Sequence, residues 1–93
     1  MTLRLEWSKS KANDNLAKHG VSFELAKIVF KDPFAVEFLD DRQDYGEERF
    51  VIIGKAERQI FYVAYTERKD AIRIISARKA TKNEEETYLE QNP

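Results

Sequence analysis

Residues 49–77 read RFVIIGKAERQIFYVAYTERKDAIRIISA, and this stretch decides the fold. It contains three apolar runs, at 49–56, 59–66 and 71–77, which are rich in the β-branched and aromatic residues that favour strands. Only short polar links separate these runs. Because links of this length join neighbouring strands, we expect three consecutive antiparallel strands.

The residues before this stretch predict a short strand and a helix. Residues 3–7 alternate apolar with charged side chains, which is the period of a half-buried strand. Ser8 is suited to cap a helix that continues to about His19, where Gly20 provides a left-handed stop.

A second helix is expected immediately afterwards. Ser22 is a suitable N-cap, and apolar residues recur at helical spacing as far as Phe30. The pair Asp32 and Pro33 should end this helix, since the residue before a proline avoids the helical conformation. Residues 34–39 are then expected to form another strand, which a polar connector joins to the three main strands.

The C-terminal segment predicts a third helix, which Thr81 caps and which runs to about Glu90, with Glu84 completing a capping box. The order strand, helix, helix, strands, helix indicates one α+β domain over residues 1–93, in which helices cover one face of a small antiparallel sheet. The 93 residues, of which 42% are hydrophobic, suit a single core.

Composition excludes several classes of function. The chain has no cysteine and one histidine, which excludes a disulfide framework, a zinc finger and a thiol nucleophile and leaves little for a transition-metal site. We therefore expect no metal and no cofactor. No apolar run reaches 18 residues and the N-terminus does not resemble a signal peptide, so we expect a cytoplasmic protein without membrane contact.

Charge is distributed unevenly along the chain. The formal net charge is -1, yet the segment from Arg68 to Lys82 contains six cationic residues and one anionic residue. A basic surface on an acidic body can bind a polyanion locally without binding all polyanions.

The cations of this segment suggest phosphate contacts. On strict strand alternation Arg73 shares a face with Ile75 and Ala77, where it is either a cation at the rim of the sheet or a phosphate clamp. Arg78 and Lys79 follow the strand end, beside the N-terminus of the third helix, where an anion is favoured.

Two other residues are candidates for proton transfer. His19 ends the first helix, where it is either a partner of the helix dipole or an acid-base group. Glu48 opens the first main strand, where it is either a solvated charge or a functional group, acting as a general base or orienting a nearby arginine.

Most of the aromatic residues should belong to the core. Phe61, Val63 and Tyr65 share one face of the second main strand, and Tyr62 lies on the other. A tyrosine left at the surface beside an arginine could instead stack on an RNA base.

Five ordered blocks resemble the BrnT family of bacterial toxins. They are the LEW of the first strand (5–7), NLAKHGVSFELAKIVFKDP (15–33), YGEERFVIIG (45–54), AYTER (64–68) and IRIISARKATKNE (72–84). The resemblance implies a fold like that of RelE toxins and an endoribonuclease that halts growth by cutting RNA. It also implies a BrnA-type antitoxin that neutralises the toxin and whose DNA-binding part lets the complex repress its own operon.

By matching these blocks, the candidate catalytic residues are His19, Glu48, Arg68 and Arg78. The candidate RNA-binding residues are Arg73, Lys79 and Lys82. Metal-free cleavage uses the ribose 2′-OH as nucleophile, so the enzyme must accept its proton, stabilise the charge on phosphorus and protonate the leaving oxygen. Arginines suit the second task, and Glu48, His19 or a tyrosine suits the others.

Two readings without catalysis also fit the sequence. The chain could be a binding module that contributes surface to an antitoxin complex on DNA or to a ribosome contact. It could also be an inactive relative of the toxins, in which case Arg73 and Arg78 should be buried in ion pairs.

Overall fold

A five-stranded mixed sheet in the order β1-β5-β4-β3-β2 forms the centre of the computed structural model, which describes residues 4–42 and 46–91. The strands are β1 (Arg4–Glu6), β2 (Val36–Asp40), β3 (Arg49–Ala56), β4 (Gln59–Arg68) and β5 (Ala71–Lys79). The helices are α1 (Lys9–His19), α2 (Phe23–Val29) and α3 (Lys82–Gln91). The expected α+β class is confirmed, and the middle of the expected polar connector lies outside the described residues.

The three main strands pair as the short links predict. β3 pairs antiparallel with β4, and β4 with β5, while β2 adds an antiparallel edge. β1 instead pairs parallel with β5, with Arg4 opposite Ala71 and Glu6 opposite Arg73. The expectation of a purely antiparallel sheet is therefore wrong for β1. A strand this far from its partner in sequence has no short link to fix its direction.

Side chains close the helix ends where the sequence predicts. Ser8 and Ser22 each accept a hydrogen bond from the backbone N–H three residues later, and Gly20 has a φ of 69° in the left-handed region. The capping box also forms, since Thr81 N–H donates to Glu84 at 2.8 Å and Glu84 N–H donates to the Thr81 hydroxyl at 3.3 Å. α2 ends at Val29, slightly before the expected stop at residues 32–33.

The helices lie on both faces of the sheet. α1 and α2 cover the face that carries the larger core, and α3 packs on the opposite face through Tyr88. The expectation that all helices share one face is wrong. The reason is visible in β3, where Val51, Ile52 and Ile53 are consecutive and all buried, so both faces must be covered. The larger core contains Val21, Phe23, Ala26, Val29, Ile52, Ala56, Phe61, Val63, Tyr65, Ile74 and Ala77.

A β-bulge interrupts β5. Ile74 pairs with Tyr65 and Ser76 pairs with Ala64, so Ile75 is an extra residue without a counterpart on β4. An extra residue reverses the alternation of side chains beyond it. The strict alternation expected for this strand is therefore wrong.

Candidate functional site

The bulge places three polar side chains of β5 on the sheet face opposite α1 and α2. Arg73, Ser76 and Arg78 pair with alternate residues of β4, so they point to the same side. Tyr62, the partner of Arg78, lies on this side too. We call the surface formed by Tyr62, Arg73, Ser76 and Arg78 the arginine face.

Arg78 lies between an aromatic ring and a carboxylate. Its guanidinium carbon lies 4.0 Å from the ring centroid of Tyr62, and its two terminal nitrogens donate to the two oxygens of Glu84 at 2.8 and 2.9 Å. The bond to Glu84 raises the pKa of Arg78, against the opposing effect of burial. Burial raises the pKa of Glu84, but bonds from Arg78 and Thr81 outweigh it and lower that pKa overall.

Arg73 also has an acidic partner. Its guanidinium donates to Glu6 on β1 at 2.8 Å, and 28% of its side-chain surface is exposed, against 33% for Arg78. Both arginines thus stand in ion pairs, as expected of an inactive relative, but neither is buried. Each remains within reach of an anion from solution.

Two arginines contact Tyr62. Arg78 covers one face of its ring, and Arg42 donates to its hydroxyl at 3.3 Å while also bonding both oxygens of Asp40 at 2.8 and 3.0 Å. Burial raises the pKa of Tyr62, although the charge of Arg42 opposes it. The prediction that Tyr62 lies on the opposite face of β4 from Phe61 and Tyr65 is confirmed. Phe61 and Tyr65 are buried in the larger core, and Tyr62 packs against the smaller cluster that contains Tyr88.

His19 lines a hollow beside the outer edge of β5. The hollow has a volume of about 240 Å³ and includes Ser76, which also belongs to the arginine face. In the described chain, β1 pairs with β5 only as far as Arg73, so no strand covers the edge of β5 beyond that residue, where the hollow lies. The hollow is lined by Lys11, Asp14, Asn15, Lys18, His19, Ile75 and Ser76.

Asn15 attaches α1 to this edge. It is 6% exposed, and its amide donates to the carbonyl of Ala77 and to that of Val21, both at 2.9 Å. Its oxygen accepts from the N–H of Ala77 at 3.0 Å. Sequence reasoning missed this residue, although a polar side chain three positions after Ala12, which packs against the core, was a usable signal.

Glu48 and Arg68 lie at the opposite end of the sheet. Arg68 pairs with Glu47 at 3.5 Å, and the side chain of Glu48 is exposed while its backbone carbonyl accepts from the Thr66 hydroxyl at 2.7 Å. Arg68 follows Tyr62 by six residues on β4, a separation of about 20 Å. The hollow of His19 thus reaches Ser76, two positions before Arg78 on β5, whereas Glu48 and Arg68 lie in another region of the sheet.

Lys79 and Lys82 lie at the Arg78 end of the sheet. Lys79 is the last residue of β5 and Lys82 the first of α3, and both are exposed. Three of the four cations expected to contact phosphate, counting Arg78, thus meet at one end of β5.

Within residues 4–42 and 46–91, no three His, Cys, Asp or Glu side chains are grouped so as to hold a metal ion. In the same part of the chain, no helix is long and apolar enough to cross a membrane.

Comparison with known families decides the class of this protein. Residues 7–84 match the model of the family described as "Ribonuclease toxin, BrnT, of type II toxin-antitoxin system". The chain belongs to this family. The matched segment contains all seven candidate site residues, and the BrnT resemblance read from the sequence is confirmed. No curated protein matches the chain. A type II toxin–antitoxin family implies an antitoxin partner, while a fold shared with RelE toxins stays a prediction.

Proposed function

We propose that this protein is a metal-independent endoribonuclease of the cytoplasm that cuts RNA, inhibits translation and arrests growth. A BrnA-type antitoxin would neutralise it by direct binding and would carry the complex to operator DNA. Membership of the BrnT ribonuclease toxins supports the reaction class. The place of the reaction is supported by Ser76, which lines the same hollow as His19 and lies on the same face of β5 as Arg78.

The reaction requires the protein to accept a proton, to donate a proton and to stabilise negative charge. The ribose 2′-oxygen forms a bond to phosphorus and gives its proton to a base, while the bond from phosphorus to the 5′-oxygen breaks and that oxygen receives a proton. The products are a 2′,3′-cyclic phosphate and a 5′-hydroxyl. Charge accumulates on the phosphoryl oxygens meanwhile, and fixed donors there lower the barrier.

Arg78 is proposed to stabilise that charge. Its planar fork of donors fits two phosphoryl oxygens, and the ring of Tyr62 holds the guanidinium in place from one side. Arg73 on the same face, with Lys79 and Lys82 at its end, would contact neighbouring phosphates.

His19 is proposed to transfer protons. It carries the chain's single imidazole, it is exposed, and its hollow opens onto Ser76 of the arginine face. An RNA strand lying over the edge of β5 would contact both the hollow and Arg78. Glu48 and Arg68, at the other end of the sheet, are proposed to contact a longer RNA away from the scissile phosphate.

A second candidate is binding without cleavage, in an antitoxin–DNA or ribosome complex. The observation that favours it is the pairing of Arg73 with Glu6 and of Arg78 with Glu84. An arginine held by a carboxylate contributes to stability whether or not it contacts RNA.

The test is RNA cleavage by the purified protein in the presence of EDTA, with analysis of the product ends. We expect cyclic phosphates and 5′-hydroxyls, growth arrest on induction, and relief of arrest by the antitoxin. His19→Ala should abolish cleavage, and Asn13→Ala, an exposed position of the same helix, should not. Folded protein that neither cuts RNA nor arrests growth would leave the binding reading in place.

A further inference from the structure

We infer that Glu84 occupies, on Arg78, the position that an RNA phosphodiester takes, so that α3 restrains the site until RNA displaces this carboxylate. The inference rests on the proposed function and concerns the regulation of the same site.

The first support is the geometry of the pair. Both oxygens of Glu84 face both terminal nitrogens of Arg78, at 2.8 and 2.9 Å. A carboxylate and a phosphate bind a guanidinium through the same parallel pair of hydrogen bonds. The two anions therefore compete for one set of donors on Arg78, and the ring of Tyr62 already covers part of the guanidinium.

The second support is accessibility. The side chain of Arg78 is 33% exposed and that of Glu84 is 20% exposed, so the pair lies at the surface of the arginine face. Solvent and dissolved ions reach both charges, so another anion can exchange with the carboxylate even though the two parallel hydrogen bonds make this pair stronger than an ordinary surface ion pair. A polyanion that approaches the neighbouring cations Lys79 and Lys82 can thus replace the carboxylate.

The third support is the loose attachment of α3. Of the ten residues of this helix, Tyr88 alone is buried, and its hydroxyl donates to Asp32 at 2.7 Å. Glu84 joins its first turn to the sheet through two hydrogen bonds from Arg78. Release of this carboxylate frees the N-terminal turn of α3 while Tyr88 still holds the helix.

The experiment measures binding of a 2′-O-methyl oligoribonucleotide of mixed sequence, which has no 2′-OH nucleophile and so is bound without being cut. Glu84→Gln keeps the length and capping ability of residue 84 but removes its charge. The control is Glu85→Gln, which changes the charge equally in the same helical turn and is exposed. We expect Glu84→Gln to bind about fivefold more tightly than Glu85→Gln at fixed salt.

A double-mutant comparison ties the gain to Arg78. In the Arg78→Ala background, Glu84→Gln should give no gain over Glu85→Gln, because the competing donors are absent. Wild-type protein provides a readout that needs no variant. On saturation with RNA, the carboxyl carbon resonance of Glu84 should move to the position of the solvent-exposed Glu85.

Each other outcome overturns the inference. In one such outcome, wild-type protein cuts RNA, but Glu84→Gln binds RNA no better than Glu85→Gln and the Glu84 resonance does not move. Glu84 then serves only to attach α3 to the sheet. If neither cleavage nor RNA binding occurs, the proposed function fails as well. If Glu84→Gln tightens binding of the antitoxin but not of RNA, Arg78 belongs to the antitoxin interface instead.

Discussion

The side chain of Asn15 pairs with the backbone of Ala77 as a neighbouring strand would. Its amide donates to the Ala77 carbonyl at 2.9 Å and its oxygen accepts from the Ala77 N–H at 3.0 Å, across 62 positions of sequence. The side chain therefore satisfies a section of the β5 edge that β1 does not reach. It also sets the position of α1, and hence of His19, relative to the strand that carries Arg78.

Asn15→Asp should destabilise the protein strongly. Aspartate cannot donate to Ala77 or Val21, and it brings a negative charge to their carbonyl oxygens in a buried place. We expect a loss of about 2–4 kcal/mol in the free energy of unfolding, measured by urea titration at neutral pH. The matched control Asn13→Asp, on the exposed side of α1, should change it by less than about 0.5 kcal/mol. Equal effects of the two variants would contradict the stabilising role of the hydrogen bonds between Asn15 and Ala77.

Acid should release α3 before the rest of the fold. Glu84 and Asp32 hold this helix, and burial raises the pKa of each but hydrogen bonds outweigh it and lower both pKa values. Such a group stabilises the fold above its unfolded pKa, and the contribution disappears as the pH falls through the lower folded value. The effect should begin below pH 4.5, the ordinary value for Glu84. Amide hydrogen exchange should lose protection in α3 first, and equal loss in β4 would contradict this account.

Tyr88→Phe should weaken the attachment of α3 and change how the free energy of unfolding falls with pH in the alkaline range. Burial, and then the hydrogen bond to Asp32, raise the pKa of Tyr88 from 10.0 to about 12. A raised pKa means that this contribution is complete below pH 10 and is lost as the pH approaches 12. The variant should lose about 1–3 kcal/mol at neutral pH and show a flatter decline above pH 10. Thermal unfolding across this range is the measurement, and an unchanged alkaline slope would contradict the role of Asp32.

Gly54→Ala should destabilise the protein because α2 lies directly on β3. An added Cβ would lie 2.8 Å from Cγ1 of Val29 and 3.1 Å from Cβ of Ala35. Overpacking of this kind costs about 1–3 kcal/mol in the free energy of unfolding. Combining it with Val29→Ala, which removes the closest atom, should give a loss smaller than the sum of the two single losses. Strict additivity would contradict the contact.

Local rules predicted the local structure. Ser8, Ser22 and Thr81 cap helices because the cap bonds reach only three residues along the chain, and short links made the main strands hairpins. The parallel pairing of β1 and the packing of α3 on the second face depend on contacts between distant segments. The bulge at Ile75 could not be predicted either, because it arises from the pairing of β5 with β4 and not from the sequence of β5 alone.

The candidate site shows the same division. Family resemblance supplied His19, Glu48, Arg68 and Arg78, but not their arrangement. Arg68 ends β4 and Arg78 lies near the end of the next antiparallel strand, so the hairpin prediction already implied that they lie at opposite ends of the sheet. The acidic partners of Arg73 and Arg78 could not be predicted from spacing, because Glu6 is far away in sequence and Glu84 was assigned only to the capping box.

The central claim is that RNA cleavage takes place at the Arg78 end of the sheet. The most direct measurement is the single-turnover rate of RNA cleavage by Arg78→Ala and by Arg68→Ala, which remove the same charge from the two ends. We predict a fall of about 10²- to 10³-fold for Arg78→Ala, typical of a lost transition-state donor, and of less than about tenfold for Arg68→Ala. A folded Arg78→Ala variant that cleaves at the wild-type rate, or an equally large loss in Arg68→Ala, would contradict the account.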